Sequence, residues 1–438
     1  MSSLTRRGFV AATATAVAGL GLAGCASSSA SGSASASAAA SSSAGIATIE
    51  LNDEIEELTV VTNIKDTKTS SIAVAIEKGY YEQEKLNVTQ QPFGGGFPEI
   101  MPALSKGSID VVPYGSIPTC TYVSQGDDLV IIGGTVLDGS ECVTLAENKD
   151  AYKKAEDFKG KKIACFRMET GHMALKSWLR KSGLKIGALA DGNDVEFILL
   201  EGSAAEVEAV KKSEVDMCFV NSGYGYTAIK DPDVAVAFRP NELMGHEFPC
   251  CRQTTNRTAF ETKKSALVKF EIANLRGLCD INNDKEGTIA TIMKNSGQPE
   301  DYVEATMYSA GTYTAAMKFE MDPMTNDVKA FYEDMVDNGD LENEDKSVIL
   351  QHMDSSIYYN ALQTLISRGE NKEFYEGLMT EYKAHNTLGL YLPDCHSLRL
   401  RRFPKGAPAP PWAHLRFEPE TLRRGSWRKH TTIYCAKK

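Results

Sequence analysis

Five short clusters of polar residues and glycines carry the side chains with which this chain could do chemistry, and each closely follows an apolar, strand-like run. They are Asn63-Ile64-Lys65, Gly94-Gly95-Gly96-Phe97, Tyr114-Gly115-Ser116, Arg167-Met168-Glu169-Thr170-Gly171 and Asn221-Ser222-Gly223-Tyr224. Amides, hydroxyls, backbone N–H groups and a few charges suit the holding of a small polar solute better than the breaking of bonds. The motifs G-x-S-x-G and H-E-x-x-H and the P-loop are absent from the sequence, and the glycine run does not match the dinucleotide fingerprint. No His/Cys cluster has zinc spacing, so neither a metal nor a cofactor is expected. Arg167 could clamp an acid group. Glu169, two residues on, would repel an anion and favour an amine, which leaves the charge of the solute open. Tyr114 and Phe97 suit a core or rim as well as a stacking platform, and His246 is a lone histidine.

A second chemistry sits at the N-terminus. Arg6 and Arg7 precede the apolar run Phe9 to Ala23, the order of charged, apolar and small residues that defines a secretory signal. The run is shorter than the roughly 20 residues a bilayer span takes. Thr5-Arg6-Arg7-Gly8-Phe9-Val10 resembles a twin-arginine export signal. Leu22-Ala23-Gly24-Cys25 resembles a lipobox, in which the Cys25 thiol is acylated and the chain is cut just before it. Residues 26–44 contain only Ala, Ser and Gly, with no large apolar group to offset the entropy of ordering. The expectation is a signal over 1–24, a lipid on Cys25 holding the protein at the outer face of the cell membrane, and a flexible tether over 25–55.

The body that must position the polar clusters reads as alternating strands and helices, which argues parallel α/β sheets. Strands are expected near 58–62, 87–91, 109–114, 129–136 and 142–147, with helices from Ser71 and over 98–106. The pattern restarts with strands near 162–166, 195–200 and 215–220 and a helix over 172–182. Ser203-x-x-Glu206 reads as a capping box opening the next helix. Ala103-Leu104-Ser105-Lys106-Gly107-Ser108-Ile109-Asp110-Val111 matches Ala209-Val210-Lys211-Lys212-Ser213-Glu214-Val215-Asp216-Met217 in its small, apolar, basic and acidic positions, at an offset of 106. That repeat argues two lobes of one plan. Beyond Lys263 the periodicity turns helical, as expected of helices returning to pack on the first lobe.

Composition is that of an ordinary globular protein, 42% apolar and 24% charged. The net charge of −11 argues against nucleic acid as a partner. Ten cysteines do not make a disulfide framework: Cys165 and Cys218 sit in strand-like runs as small hydrophobes. Cys250-Cys251 is the one adjacent pair, read first as core or strand residues and second as a vicinal disulfide or redox pair.

Ala75-Ile76-Glu77-Lys78-Gly79-Tyr80-Tyr81-Glu82-Gln83-Glu84-Lys85-Leu86-Asn87-Val88 resembles the first helix and second strand of bacterial ABC-importer solute-binding proteins. The branch is the one handling nitrate, sulfonates, taurine and thiamine-pyrimidine precursors. Asp157-Phe158-Lys159-Gly160-Lys161-Lys162-Ile163-Ala164 resembles the phrase with which such proteins enter their second lobe. The resemblance covers about residues 56–385. It implies a type II periplasmic-binding-protein-like fold, with two α/β lobes joined by a hinge around a ligand cleft. It further implies no enzymatic activity, a monomer, and an ABC permease with its ATPase as partners. Lobe one would take 56–145, lobe two 146–240, and a mostly helical return to lobe one 241–390. Ligands of such lobes lie beyond the strand carboxyl ends against helix N-termini, whose N–H groups suit an anion. That places Asn63, Lys65, Gly95, Gly96, Phe97, Tyr114, Gly115, Ser116, Arg167, Glu169, Thr170, Asn221, Ser222, Tyr224 and His246 around the solute. The alternatives are a pyrimidine-synthesis enzyme of a related branch, echoed faintly by His246 and Cys250-Cys251, and a surface sensor.

The end of the chain departs from this pattern. From His396 to Lys438 there are 11 Lys/Arg against two acidic residues, net +9, with two of the three tryptophans. A basic tail over 391–438 that is not part of the fold is expected.

Overall fold

The computed structural model describes residues 46–62, 67–93, 96–314 and 317–388. The expected signal over 1–24, Cys25 and the expected basic tail over 391–438 lie outside the described residues, as do Asn63, Lys65 and Gly95 of the polar clusters. No helix among the described residues is long and apolar enough to cross a membrane.

Two mixed sheets are built on one plan. The first contains β1 (Glu56–Thr62), β2 (Leu86–Pro92), β3 (Val111–Val112), β4 (Leu129–Leu137), β10 (Cys251–Asn256) and β11 (Lys318–Phe319), in the order β11-β4-β10-β3-β1-β2. The second contains β5 (Ser140–Leu145), β6 (Lys161–Cys165), β7 (Val195–Leu199), β8 (Met217–Asn221) and β9 (Val234–Phe238), in the order β7-β6-β8-β5-β9. The parallel trios β2-β1-β3 and β7-β6-β8 correspond. Beside each trio lies an antiparallel strand, β10 in one sheet and β5 in the other. Both arrive from the opposite lobe, so the sheets are mixed rather than wholly parallel. A strand entering straight from a crossover, with no returning helix, runs against its neighbours.

The repeated phrase has a physical purpose. Asp110 N–H donates to Thr59 O at 2.9 Å while its carboxylate accepts from Thr59 N–H at 2.8 Å. Asp216 does the same with Lys162, at 2.9 Å in each direction. In both lobes the aspartate pins the third strand of the trio to the first, and a lysine (Lys263 or Lys161) pairs with it.

Three expectations are corrected. Ser140–Leu145 pairs with β8 and β9, so lobe two begins at the Asp138-Gly139 crossover and not after residue 145. Residues 46–55 are not free tether: Ile46, Ile49 and Leu51 pack on the lobe-one core, and Ile49 N–H and Ala47 O bond the Asn360 amide. The capping box at Ser203 does not form. Gly202 holds the cap position without a side-chain bond, and both Glu206 oxygens are buried with no hydrogen-bond partner among the described residues. Burial pushes that carboxyl up to about 8.

The C-terminal helices Lys264–Asn283, Ser356–Arg368 and Lys372–His385 cover the first sheet. Their fully buried leucines, isoleucines and phenylalanines each contribute about 1.5–3 kcal/mol. The helix Thr325–Asp337 adds Val328, Phe331, Tyr332 and Met335 to the other core of that lobe. Against it lies the lobe-two helix Thr170–Lys181, through Lys176–Asp340 at 2.5 Å, Lys181–Asp334 at 2.6 Å and Asn338 Nδ2 donating to Ser177 Oγ at 2.8 Å. This seam ties the lobes together beside the crossovers. Because Lys176 and Asp340 are mostly buried, Asp340→Ala is expected to cost about 1–2 kcal/mol, between the values for exposed and buried pairs. Chemical denaturation checks it, and a loss within error of zero would mean the seam is screened.

Candidate functional site

The carboxyl ends of β1, β3, β6 and β8 lead into polar turns that meet the crossovers Asp138–Ser140 and Arg239–Cys250. Lys68, on the 3-10 turn Thr67–Thr69 after β1, is 6% exposed. Its ammonium donates to Asn221 Oδ1 at the end of β8, 3.0 Å away, so one side chain spans the two lobes. Beside it Thr69 Oγ1 lies 3.2 Å from the Tyr114 hydroxyl. The Tyr114 ring stands 5.3 Å from Phe93, which meets Phe97 edge-on at 5.2 Å. On the lobe-two side Ser222 N–H donates to Gly139 O at 3.1 Å. The Ser222 hydroxyl is buried with no partner among the described residues.

The helix N-termini expected to cradle an anion are largely taken by the chain itself. Glu169 caps Thr170–Lys181, accepting from Gly171 N–H and His172 N–H at 2.8 Å each. It also accepts from Ser140 Oγ on the first crossover and lies 3.0 Å from His172 Nδ1. Glu141 of β5 accepts from Gly225 N–H at 2.8 Å, in the first turn of Tyr224–Ala228, and from the Tyr313 hydroxyl. In lobe one Ser116 N–H donates to Cys250 O at 2.8 Å and Ser116 Oγ to Pro249 O at 2.5 Å. An N–H already donating to an internal oxygen has little left to offer an outside anion.

Charge concentrates at the crossovers. Glu141 is fully buried, and burial pushes its carboxyl up to about 7 against the pull of Tyr313, Arg239, Gly225 and Lys68. Asp138 is likewise pushed up to about 7 by burial. It ties the crossovers together by accepting from Phe248 N–H at 3.0 Å and from Asn241 Nδ2 at 2.9 Å. The Arg239 guanidinium stands 4.0 Å from Glu141.

The sequence candidates therefore divide. Gly96, Phe97, Tyr114, Gly115, Thr170, Asn221, Ser222 and Tyr224 sit at strand carboxyl ends or in the helix turns that follow them. Gly115 turns there at φ +61°, where a Cβ would strike Pro118. Arg167 is exposed on the β6 turn. Ser116 and Glu169 are buried, and their polar atoms are engaged by the chain itself. His246 is exposed and bonds Glu247 O at 3.0 Å. It lines a separate recess with Trp178, Met244, Phe248 and Phe331. Lys68, Glu141 and Arg239 were missed. Lys68 lies in the polar stretch Asp66-Thr67-Lys68-Thr69-Ser70-Ser71 between the first strand and the following helix, a signal in plain view, whereas nothing marks Glu141 apart from an ordinary strand glutamate.

Two α/β lobes, crossed twice by the chain and presenting strand ends towards the crossovers, define the periplasmic-binding-protein fold. The sequence matches the "NMT1/THI5 like" family model over residues 66–287, and the chain belongs to that family. A putative aliphatic sulfonates-binding protein of Escherichia coli is 34% identical over 106 residues, 24% of this chain and 32% of that one. A putative binding protein of Brucella abortus is 30% identical over 148 residues, 34% of this chain and 42% of the relative. The matches thus span under half the length of these curated relatives. Among solved structures, the aliphatic sulphonate binding protein SsuA of Escherichia coli superposes with a TM-score of 0.53 at 21% identity, covering 68% of this chain and 91% of that one. The nitrate-binding protein NrtA of Synechocystis superposes with a TM-score of 0.55 at 15% identity, covering 72% and 90%. At such identities the likeness shows the fold alone.

Proposed function

We propose that this protein is the extracytoplasmic solute-binding component of an ABC importer, held to the cell membrane through a lipid on Cys25. In this reading it captures a small polar solute between its lobes and delivers it to the permease. The observation that carries the reading is the Lys68–Asn221 bond, made between the two strand-end surfaces where solutes bind in folds of this kind. Gly96, Phe97, Tyr114, Arg167, Thr170, Asn221, Ser222 and Tyr224 complete the proposed binding surface with Lys68, and Asn63, Lys65 and Gly95 belong to the same turns by sequence. The matched relatives bear names of sulfonate- and nitrate-binding proteins, which makes sulfonates and nitrate the first solutes to try.

A thermal-shift screen against sulfonates, nitrate, carboxylates, amines and pyrimidines tests it. A true ligand at a hundred times its Kd stabilises by about 2.7 kcal/mol. Lys68→Met is expected to weaken the solute found by about tenfold, or ~1.4 kcal/mol. Unchanged melting with every class, together with X-ray scattering that shows no compaction, would sink the proposal.

A further inference from the structure

The second crossover carries an adjacent cysteine pair at the point where both lobes touch. Cys250 and Cys251 are 3% and 4% exposed, reduced, with their sulfurs 3.6 Å apart. Cys250 Sγ fills the space that a Cβ at Gly139 would need on the first crossover. Its S–H donates to Thr170 Oγ1, 3.6 Å away at the start of the lobe-two helix. Its carbonyl receives Ser116 N–H from lobe one. One residue thus contacts the other crossover and both lobes. The strand it leads into is already irregular, with a register shift between Cys251 and Arg252, so local rearrangement there breaks little regular pairing.

We propose that Cys250 and Cys251 form a reversible redox site in the hinge, oxidised to a vicinal disulfide by a small disulfide or a thiol–disulfide oxidoreductase. The proposal concerns the hinge and stands whatever solute the lobes take. One thiolate attacks the reagent disulfide R–S–S–R and expels a first R–S⁻, leaving a mixed disulfide. The neighbouring thiolate attacks that bond and expels a second R–S⁻. Two cysteine thiols lose two protons and two electrons, one S–S bond forms, and the reagent is reduced to two thiols. In the state described here the pair is quiet: the bond to Cys251 and burial hold the Cys250 thiol well above the usual range, which keeps thiolate scarce. Reaction therefore requires the lobes to part at Thr170 and Gly139. Bonding then draws Cys250 Sγ towards Cys251 and out of its seat against Gly139, loosening the packing between the crossovers.

The test treats the whole chain with hydroxyethyl disulfide, maps the fragment containing Cys250-Cys251 by mass, and follows amide exchange. The expected fragment is two hydrogens lighter and carries no adduct. Exchange at Gly171 and Ser222, whose N–H groups bond Ser140 and Gly139 of the first crossover, should quicken at least about threefold and return on reduction. Cys251→Ser and Cys250→Ser, each keeping the volume of the site, should leave exchange unchanged by the reagent. An unmodified fragment, an adduct without a ring, a disulfide with unchanged exchange, or quickened exchange in both serine variants would each overturn the proposal.

Discussion

Arg252→Met lowers the stability of the fold by about 3–5 kcal/mol and its melting temperature by roughly 10 °C. Arg252 is fully buried on β10. Its guanidinium donates to Val136 O at 2.9 Å and to Asp322 O, with Glu320 and Asp322 close enough to favour its charge. Methionine fills a similar volume but takes these donors away from the Val136 and Asp322 carbonyls in the buried centre of the sheet. The backbone of β4 is shaped for this side chain. A Cβ at Gly134 would run into the guanidinium, and one at Gly133 into Glu271. Gly134→Ala is therefore expected to reproduce part of the loss. A melting curve for Arg252→Met within 2 °C of wild type would show that the buried charge is dispensable.

The second large effect is a stability that rises on mild acidification. Burial raises Glu141 from 4.5 to about 7 and Asp138 from 3.8 to about 7. Between the unfolded and folded values the native state keeps protons that the unfolded chain has released. Stability therefore falls as pH rises through that window, and above about 7 the full burial penalty is felt. Each group contributes up to ~1.4 kcal/mol per pH unit, so going from about pH 8 to about 5.5 should stabilise by roughly 2 kcal/mol per group. The cations facing them, Lys68 and Arg239 for Glu141 and Arg239 and Lys318 for Asp138, oppose the shift and limit its size. Glu141→Gln should flatten the profile by about one group's share. Melting temperatures measured across that range decide the matter, and a wild-type profile that is flat or falls on acidification would refute the account.

Two structural devices explain how far the sequence could be read. The repeated phrase was legible because each copy is local: a helix end of the same small and apolar residues, a turn, and an aspartate at the strand start, repeated 106 positions on. The antiparallel strands were not legible, because β5 and β10 look like any buried strand and their direction depends on which lobe they arrive from. By sequence Ser140–Leu145 falls to lobe one for that reason, since its residues say that it is buried and not in which sheet.

Sequence alone determined the family, the two-lobe plan and the strand ends where polar clusters gather, because periodicity and turn chemistry are properties of adjacent residues. Tertiary structure decided which of those polar groups the chain itself already engages. Glu169 and Ser116 have the residue types of a binding site, yet a helix start and a crossover carbonyl 133 residues away claim their hydrogen bonds. Lys68 and Glu141 became central only when the two lobes met around them. A hydrogen-bonding group has few partners to give, and which partner it takes is set by folding distance, which the order of residues does not show.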